Sequence, residues 1–519
     1  MNEVVKDQYW LQFKVAPADL ERLANFLVET ESPKTIEQLT QELVRYRYQQ
    51  LLTLAEETLA QGRIYRPGET YQVGEQVLFP NSGNRLGEVV EVRPGHNPEY
   101  EPFTVLTIAF EGGKSQQFAA SLPVEHPLDR ATYLPSGEAT PEELYALHGE
   151  RVSTALAAAL RESPQFISMG PQWFLKELVV EISAGQLNIA EALLDMAGGG
   201  PLPTQALLDE LELPGEIAGR LQLFSLECAL QQDARFDEVG PAGEAQWYLM
   251  RMEPQAVLQI PEHLRYMPIP YNRSLLDEGM LALEAQVDDE WAETTFGAQL
   301  DEDMVTLKLI YPHWRSGTLP LAARFAQLFP TARLTNRVRF SFVDGRTGKT
   351  FPGWVVRNHR YVYGLEAWYD ELGVTVGTFV DLKAGEHPDQ VTVDVRRVRS
   401  RRSEWVRTAT VQDGRIYFEV KPMPMACKYD ELSVVVVPDP AEIDELASEL
   451  RHEPLEKLIE QVFSGLAALS LQRAVHGATL YSAVNLLRRV PPAPLVATLL
   501  GNPRYEALGD NYWAYRGGD

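Results

Sequence analysis

The residues of this sequence best suited to chemistry are arginines. Asp394 to Ser403 places Arg396, Arg397, Arg399, Arg401 and Arg402 within seven consecutive positions. Guanidinium groups contact phosphate oxygens with a salt-dependent gain per contact and carry little sequence information. On a strand, Arg397, Arg399 and Arg401 share one face, and Arg396 and Arg402 take the other. Arg488 and Arg489, close to the C-terminus, extend the set of phosphate-contact candidates. The competing reading of the run is a solvated hairpin whose arginines pair with acidic segments elsewhere in the chain.

Catalytic spacings are missing by comparison. The nine histidines form no HExxH or HxH pattern, and no G-x-S-x-G elbow occurs. The two cysteines, Cys228 and Cys427, lie in unrelated segments without a CxxC, which argues against a disulfide framework and against zinc. Gly198-Gly199-Gly200 lacks the context of a phosphate cradle and reads as a helix-ending turn. The sequence therefore predicts a non-enzyme without metal or cofactor.

Charge says where such arginines could meet a partner. The 519-residue chain has a formal net charge of −26. From Met304 to Glu431, however, 20 Lys+Arg face 13 Asp+Glu, whereas Met1 to Asp303 has 20 against 49 and Leu432 to Asp519 has 7 against 11. A chain this acidic is repelled by a polyanion unless it presents a localised cationic face. The basic island is thus the expected meeting place for double-stranded DNA. No apolar run has signal-peptide or membrane-spanning length, Val434 to Val437 being far too brief, so a cytoplasmic, nucleoid location and no membrane partner are expected.

The elements that must position these residues follow from periodicity. In residues 1–69, Leu20, Leu23, Ala24 and Leu27 mark one helical face. Ser32-Pro33 breaks it, Thr35-Ile36 opens a second helix, and Leu51, Leu52, Leu54 and Leu59 continue a third. That order predicts a helix-turn-helix-like unit. Residues 70–130 switch to period two, with turns at Asn81 to Asn84, Pro94-Gly95 and Gly112-Gly113, and this stretch resembles a small SH3-like barrel. With 4 basic against 8 acidic residues between Tyr71 and Arg130, a protein-contact or spacer role fits it better than nucleic-acid binding.

Residues 140–253 are helical and end in a plan that recurs in residues 438–519: three helices and a terminal hairpin. Asp233-Ala234-Arg235-Phe236-Asp237-Glu238-Val239-Gly240 aligns with Asn502-Pro503-Arg504-Tyr505-Glu506-Ala507-Leu508-Gly509, with Trp247 and Trp513 in the return strands. The pattern resembles the winged helices of the RNA polymerase delta subunit and related HARE-type helix-turn-helix domains, which implies DNA or protein contacts. Residues 254–303, with four prolines between Pro254 and Pro270 and the run Asp288-Asp289-Glu290, read as a solvated acidic linker.

Residues 304–437 hold the basic island. A strand at Val305 to Ile310 leads to a helix at Ala322 to Leu328 ending in Phe329-Pro330, then to a strand with Val343-Asp344-Gly345 and another at Gly353 to Arg357. Tyr361-Val362-Tyr363-Gly364 precedes a second helix, Glu366 to Leu372. This order resembles the B-three type DNA-binding pseudobarrel of plant transcription factors and some restriction-enzyme recognition domains. That resemblance implies two groove-entering loops, Tyr311 to Ser316 and Arg357 to Tyr361, with Arg315, Arg357, Asn358, His359 and Arg360 as base readers. Arginine bridges guanine O6 and N7, and asparagine pairs with adenine N6 and N7. Leu365 stands where the plant pattern has an aromatic, with Trp368 supplying bulk nearby.

The fold class expected is multidomain α+β, with winged-helix modules, a small SH3-like β-barrel and a B-three-like pseudobarrel. The function expected is a bacterial DNA-binding transcription regulator or nucleoid-associated factor. The alternatives are a protein-interaction adaptor, for example of RNA polymerase, and the DNA-recognition subunit of a restriction or defence system.

Overall fold

The computed structural model describes residues 7–80, 85–97, 101–111, 115–130, 140–213, 218–241, 243, 245–293, 304–332, 334–398 and 403–516. It is a mixed α+β chain that divides into two compact units: residues 1–181 with 213–228, and residues 182–212 with 229–519. The expected turns at Asn81 to Asn84 and Gly112-Gly113 lie outside the described residues. No described helix is long and apolar enough to cross a membrane.

The first unit opens with α1 (Asp7–Leu11), α2 (Pro17–Thr30), the short strand β1 (Lys34–Thr35) and α3 (Ile36–Ala60). Two helices, not three, fill residues 17–60. No glycine or proline interrupts Ile36 to Ala60, so the second helix runs on where a third had been expected. Asp19 is fully buried in α2 but a charged partner reaches it: Arg47 Nη2 donates to Oδ2 at 2.7 Å, and its Nε lies 2.7 Å from Oδ1. Next comes a five-stranded sheet of β2 (Arg63–Ile64), β3 (Gln76–Phe79), β4 (Arg85–Pro94), β5 (Thr104–Phe110) and β6 (Ser115–Ala120), paired in chain order. Alternation puts Val77, Phe79, Leu106, Ile108 and Phe110 on its buried face. The unit closes with α4 (Pro141–Glu162) and the hairpin β7 (Phe166–Met169) and β8 (Gln172–Leu175), which pairs with β1 in the order β1-β8-β7.

The second unit begins with α5 (Ala184–Met196), β9 (Leu202–Pro203), α6 (Thr204–Asp209), the latter part of α7 (Gly219–Gln232), β10 (Phe236–Glu238) and β11 (Gln246–Leu249). After α8 (Gln255–Leu258) and α9 (Glu278–Gln286) comes the basic island, which folds as a seven-stranded sheet. Its strands are β12 (Val305–Lys308), β13 (Thr318–Pro320), β14 (Arg337–Asp344), β15 (Thr350–Val356), β16 (Tyr361–Tyr363), β17 (Phe379–Ala384) and β18 (Gln390–Val395). They pair in the order β12-β17-β18-β14-β15-β16-β13. Its core, including Leu307, Phe340, Phe342, Val380 and Val393, is set by strict alternation, seen most clearly in β14. The connections hold α10 (Tyr311–Arg315) and α11 (Glu366–Leu372). The expected helix at Ala322 to Leu328 is only a 3-10 turn at Ala326–Leu328. A two-stranded ribbon, β19 (Ser403–Gln412) and β20 (Arg415–Pro424), precedes α12 (Pro440–Glu449), α13 (Leu455–Ala467), β21 (Ala474–His476), α14 (Gly477–Leu487), α15 (Pro492–Gly501), β22 (Tyr505–Gly509) and β23 (Tyr512–Tyr515).

One strand plan occurs three times. The sheets β1-β8-β7, β9-β11-β10 and β21-β23-β22 each put the last strand of the module in the middle. A buried tryptophan occupies the same register in each: Trp173 opposes Lys34 and Ser168, Trp247 opposes Leu202 and Glu238, and Trp513 opposes Val475 and Ala507. Two copies are visible in the sequence. The first copy is not, because the five-stranded sheet is inserted between its α3 and α4.

Residues 278–293 are not a solvated connector. Asp289 and Glu290 are 3% and 4% exposed. Arg489 reaches them at 2.7 and 2.8 Å, and Asp288 is clamped by Arg324. Burying the carboxylates is tolerable only because cationic partners come with them.

Candidate nucleic-acid interface

Four of the five residues of the second expected loop, Arg357 to Arg360, form a tight turn between β15 and β16, with Arg360 in the left-handed region at φ 57°, and the fifth, Tyr361, opens β16. Arg357 points inward. Its Nη2 donates to the carbonyls of Phe329 and Pro330 at 2.9 and 2.8 Å, and burial pulls its pKa down. Arg360 donates to the Glu290 carbonyl at 3.1 Å and lies over the Trp291 ring. Asn358 is exposed and His359 half-buried. Both border a cavity of about 300 Å³ with Asn336, Arg337 and Asp237. Arg337 is itself paired with Asp237 at 2.5 Å.

The first expected loop is helix α10 instead. Pro312 stands in its first turn, where a missing N–H costs nothing. Tyr311, Pro312 and His313 are buried, and Trp314 donates to the Val374 carbonyl at 2.8 Å. Arg315 holds Asp444 Oδ2 through Nε at 3.0 Å and Nη2 at 2.9 Å.

The two segments also lie at different ends of the strands. Arg337 pairs with Val356 beside the 357–360 turn, while Val343 pairs with Thr350 at the other end. β18 runs parallel to β14 with Asp344 against Val393, Val380 pairs with Val395, and Lys308 pairs with Phe379. Residues 311–316 therefore leave at the Asp344 end. Both segments nevertheless meet Glu290: His313 Nε2 faces its Oε2 at 3.1 Å and Arg360 donates to its carbonyl at 3.1 Å. What withdraws Arg315 and Arg357 from base reading is that both guanidinium groups already have internal partners.

The phosphate candidates divide. Arg489 is buried between Asp289 and Glu290, so it is removed from the solvent-facing cations. Arg488 donates Nη2 to the carbonyls of Leu450 and Arg451, both at 2.7 Å. Arg396 is held by Asp381 at 3.0 Å and by Thr306 Oγ1 at 2.7 Å. Arg397 is exposed, and Arg399, Arg401 and Arg402 lie outside the described residues. Arg396 and Arg397 follow β18 at the Asp344 end, where the β14–β15 turn carries exposed Arg346 and Lys349. Lys428 is exposed there too, its amide donating to the Arg396 carbonyl at 2.6 Å. Among the described residues, Arg346, Lys349, Arg397 and Lys428 have no carboxylate partner.

The C-terminal module withholds its second and third helices, and the middle module withholds part of its third. Every residue of α14 is buried, as are Pro492 to Ala497 of α15 and Phe224 to Cys228 of α7. A helix buried on all sides cannot lie in a groove. The chain matches no family model, no curated protein and no solved structure in the three comparisons made.

Two polar clusters escaped the sequence reading. In one, His263 Nε2 and Tyr311 Oη both meet Asp444 Oδ1 at 2.9 Å. Burial lowers the His263 pKa and lifts that of Tyr311. In the other, Glu253 is buried beside Asp237 and Arg337, and burial with the Asp237 charge pushes its carboxyl up to about 8. His263 and Asp444 are 181 positions apart, so no local motif announces them.

Proposed function

We propose that the chain binds duplex DNA through its phosphate backbone, acting as a transcription regulator or nucleoid-associated factor. The observation that carries this reading is the group of exposed, carboxylate-free cations at one end of the seven-stranded sheet, continuous in sequence with Arg399, Arg401 and Arg402, in a chain of net charge −26. Phosphate contact needs only such a face. The strand and helix order of residues 305–395 supports a B-three-like pseudobarrel, and the three helix, strand, helix, helix, hairpin modules support winged helices used as scaffold. Base reading through Arg315 and Arg357 is not part of the proposal, since both side chains already have internal partners.

The test is fluorescence anisotropy with a labelled duplex across a salt series. Replacing Arg396, Arg397, Arg399, Arg401 and Arg402 by alanine should flatten the slope of log K against log salt by up to about 4.5, at about 0.9 per lost phosphate contact. Absence of binding at low salt, or an unchanged slope, rejects the proposal. One observation favours a protein adaptor as second reading: Trp405 on the β19–β20 ribbon is 72% exposed, opposite exposed Pro422.

A further inference from the structure

The second unit encloses a cavity of about 310 Å³ between residues 262–267, α12 and the end of α14. Leu486, Leu487, Ala447 and Met267 give it an apolar wall. Its charged groups nearly all have internal partners. Asp444 receives hydrogen bonds from Tyr311 and Arg315 and contacts His263. Arg451 pairs with Glu262 at the rim, and Arg489 with Asp289 and Glu290 behind the wall.

Two arginines are the exceptions: Arg265, which is exposed and donates from its side chain to the Ile260 carbonyl at 3.4 Å, and Arg488. Arg488 is the one set into the wall. Its side chain is half-buried, and its only partners are the carbonyls of Leu450 and Arg451 just past the end of α12. Capping those carbonyls explains two of the five guanidinium N–H donors. It leaves three donors and a full positive charge beside an apolar wall, with no carboxylate in ion-pair range among the described residues. Burial already disfavours the charged form of Arg488. A half-buried charge of this kind is stabilised by a counter-ion.

We infer that this cavity binds a small organic carboxylate with an apolar body, its anionic end on Arg488 and its body against Leu486, Leu487 and Ala447. One half-buried guanidinium against an apolar wall, with Arg451 and Arg489 already paired and Arg265 exposed, suits one carboxylate better than a phosphate, which draws on several cations or backbone amides. The site is separate from the exposed cations at the Asp344 end of the sheet and does not depend on DNA binding.

Calorimetric titration of the full chain, without DNA, tests this with benzoate, phenylacetate and hexanoate, against benzyl alcohol and inorganic phosphate. At least one carboxylate should bind, and the alcohol and phosphate should not. Arg488→Gln should weaken the carboxylate by about tenfold or more, the loss of one charged hydrogen bond. Ala447→Phe, at a partly exposed wall position, should block it by filling the space while leaving Arg488 in place. The inference is overturned if all three carboxylates fail to bind, if both variants bind like the parent, if benzyl alcohol binds as tightly as benzoate, or if phosphate alone binds.

Discussion

Replacing Arg489 by methionine removes the cation from a site where Asp289 and Glu290 stay behind with almost no access to water. Arg489 is 1% exposed in its side chain, and the two acids 0% and 2%. Burial pushes both carboxyls up, and it prevails at Asp289. At Glu290, Arg489 and His313 outweigh it and hold the group at about 2. Tyr481 donates to Asp289 at 2.6 Å and His313 faces Glu290 at 3.1 Å, so part of the network survives the substitution. Breaking a buried pair from one side costs about 3–5 kcal/mol because a charge is left uncompensated. The expected loss for Arg489→Met is therefore about 3–5 kcal/mol in urea unfolding. Adding Asp289→Asn and Glu290→Gln should recover part of it, as a coupled set must. A loss under about 1 kcal/mol, the worth of an exposed pair, would show that the acid run is solvated after all. A triple variant no more stable than the single one would refute the assignment of the loss to stranded charge.

Three further expectations concern other sites. Glu253 has a folded pKa of about 8, above the roughly 4.3 of an unfolded glutamate, so its stabilising effect is complete below the unfolded value and lost as pH climbs toward 8. The urea midpoint of the parent should fall between pH 5 and 8.5 by that contribution. Glu253→Gln should flatten the decline, and an unaltered pH profile rejects the assignment. Asp381→Asn removes the carboxylate that holds Arg396, so duplex affinity at low salt should rise and the salt slope steepen by about 0.9, read by anisotropy. An unchanged slope excludes Arg396 from phosphate contact. Gly364→Ala would bring a Cβ to 2.5 Å from the Pro352 carbonyl at φ 125°. It should cost upwards of about 1–3 kcal/mol in urea unfolding. Gly348→Ala, at φ 69° in open space, should cost less, and equal losses would reject the steric argument.

Much of the secondary structure was legible. β14 reads from Val338, Phe340 and Phe342, and the α11 helix from Trp368 and Leu372 on one face, because strand and helix periods act over two to four residues. The two later module copies were legible through their arginine, aromatic, acid and tryptophan pattern. The first copy is hidden by an inserted sheet, and α10 reads as a loop because the pseudobarrel resemblance puts one there and five residues around Pro312 carry too little periodicity to oppose it.

The candidate site was legible in composition and not in availability. Sequence alone determined that residues 304–431 are the basic part of an acidic chain and that they form alternating strands, since charge counts and hydrophobic period are local properties. Only the tertiary structure decided which of those cations remain free. Arg315 meets Asp444 across 129 positions and Arg489 meets Glu290 across 199. A guanidinium takes whichever carboxylate folding brings within about 3 Å, and that pairing is settled by packing of distant elements.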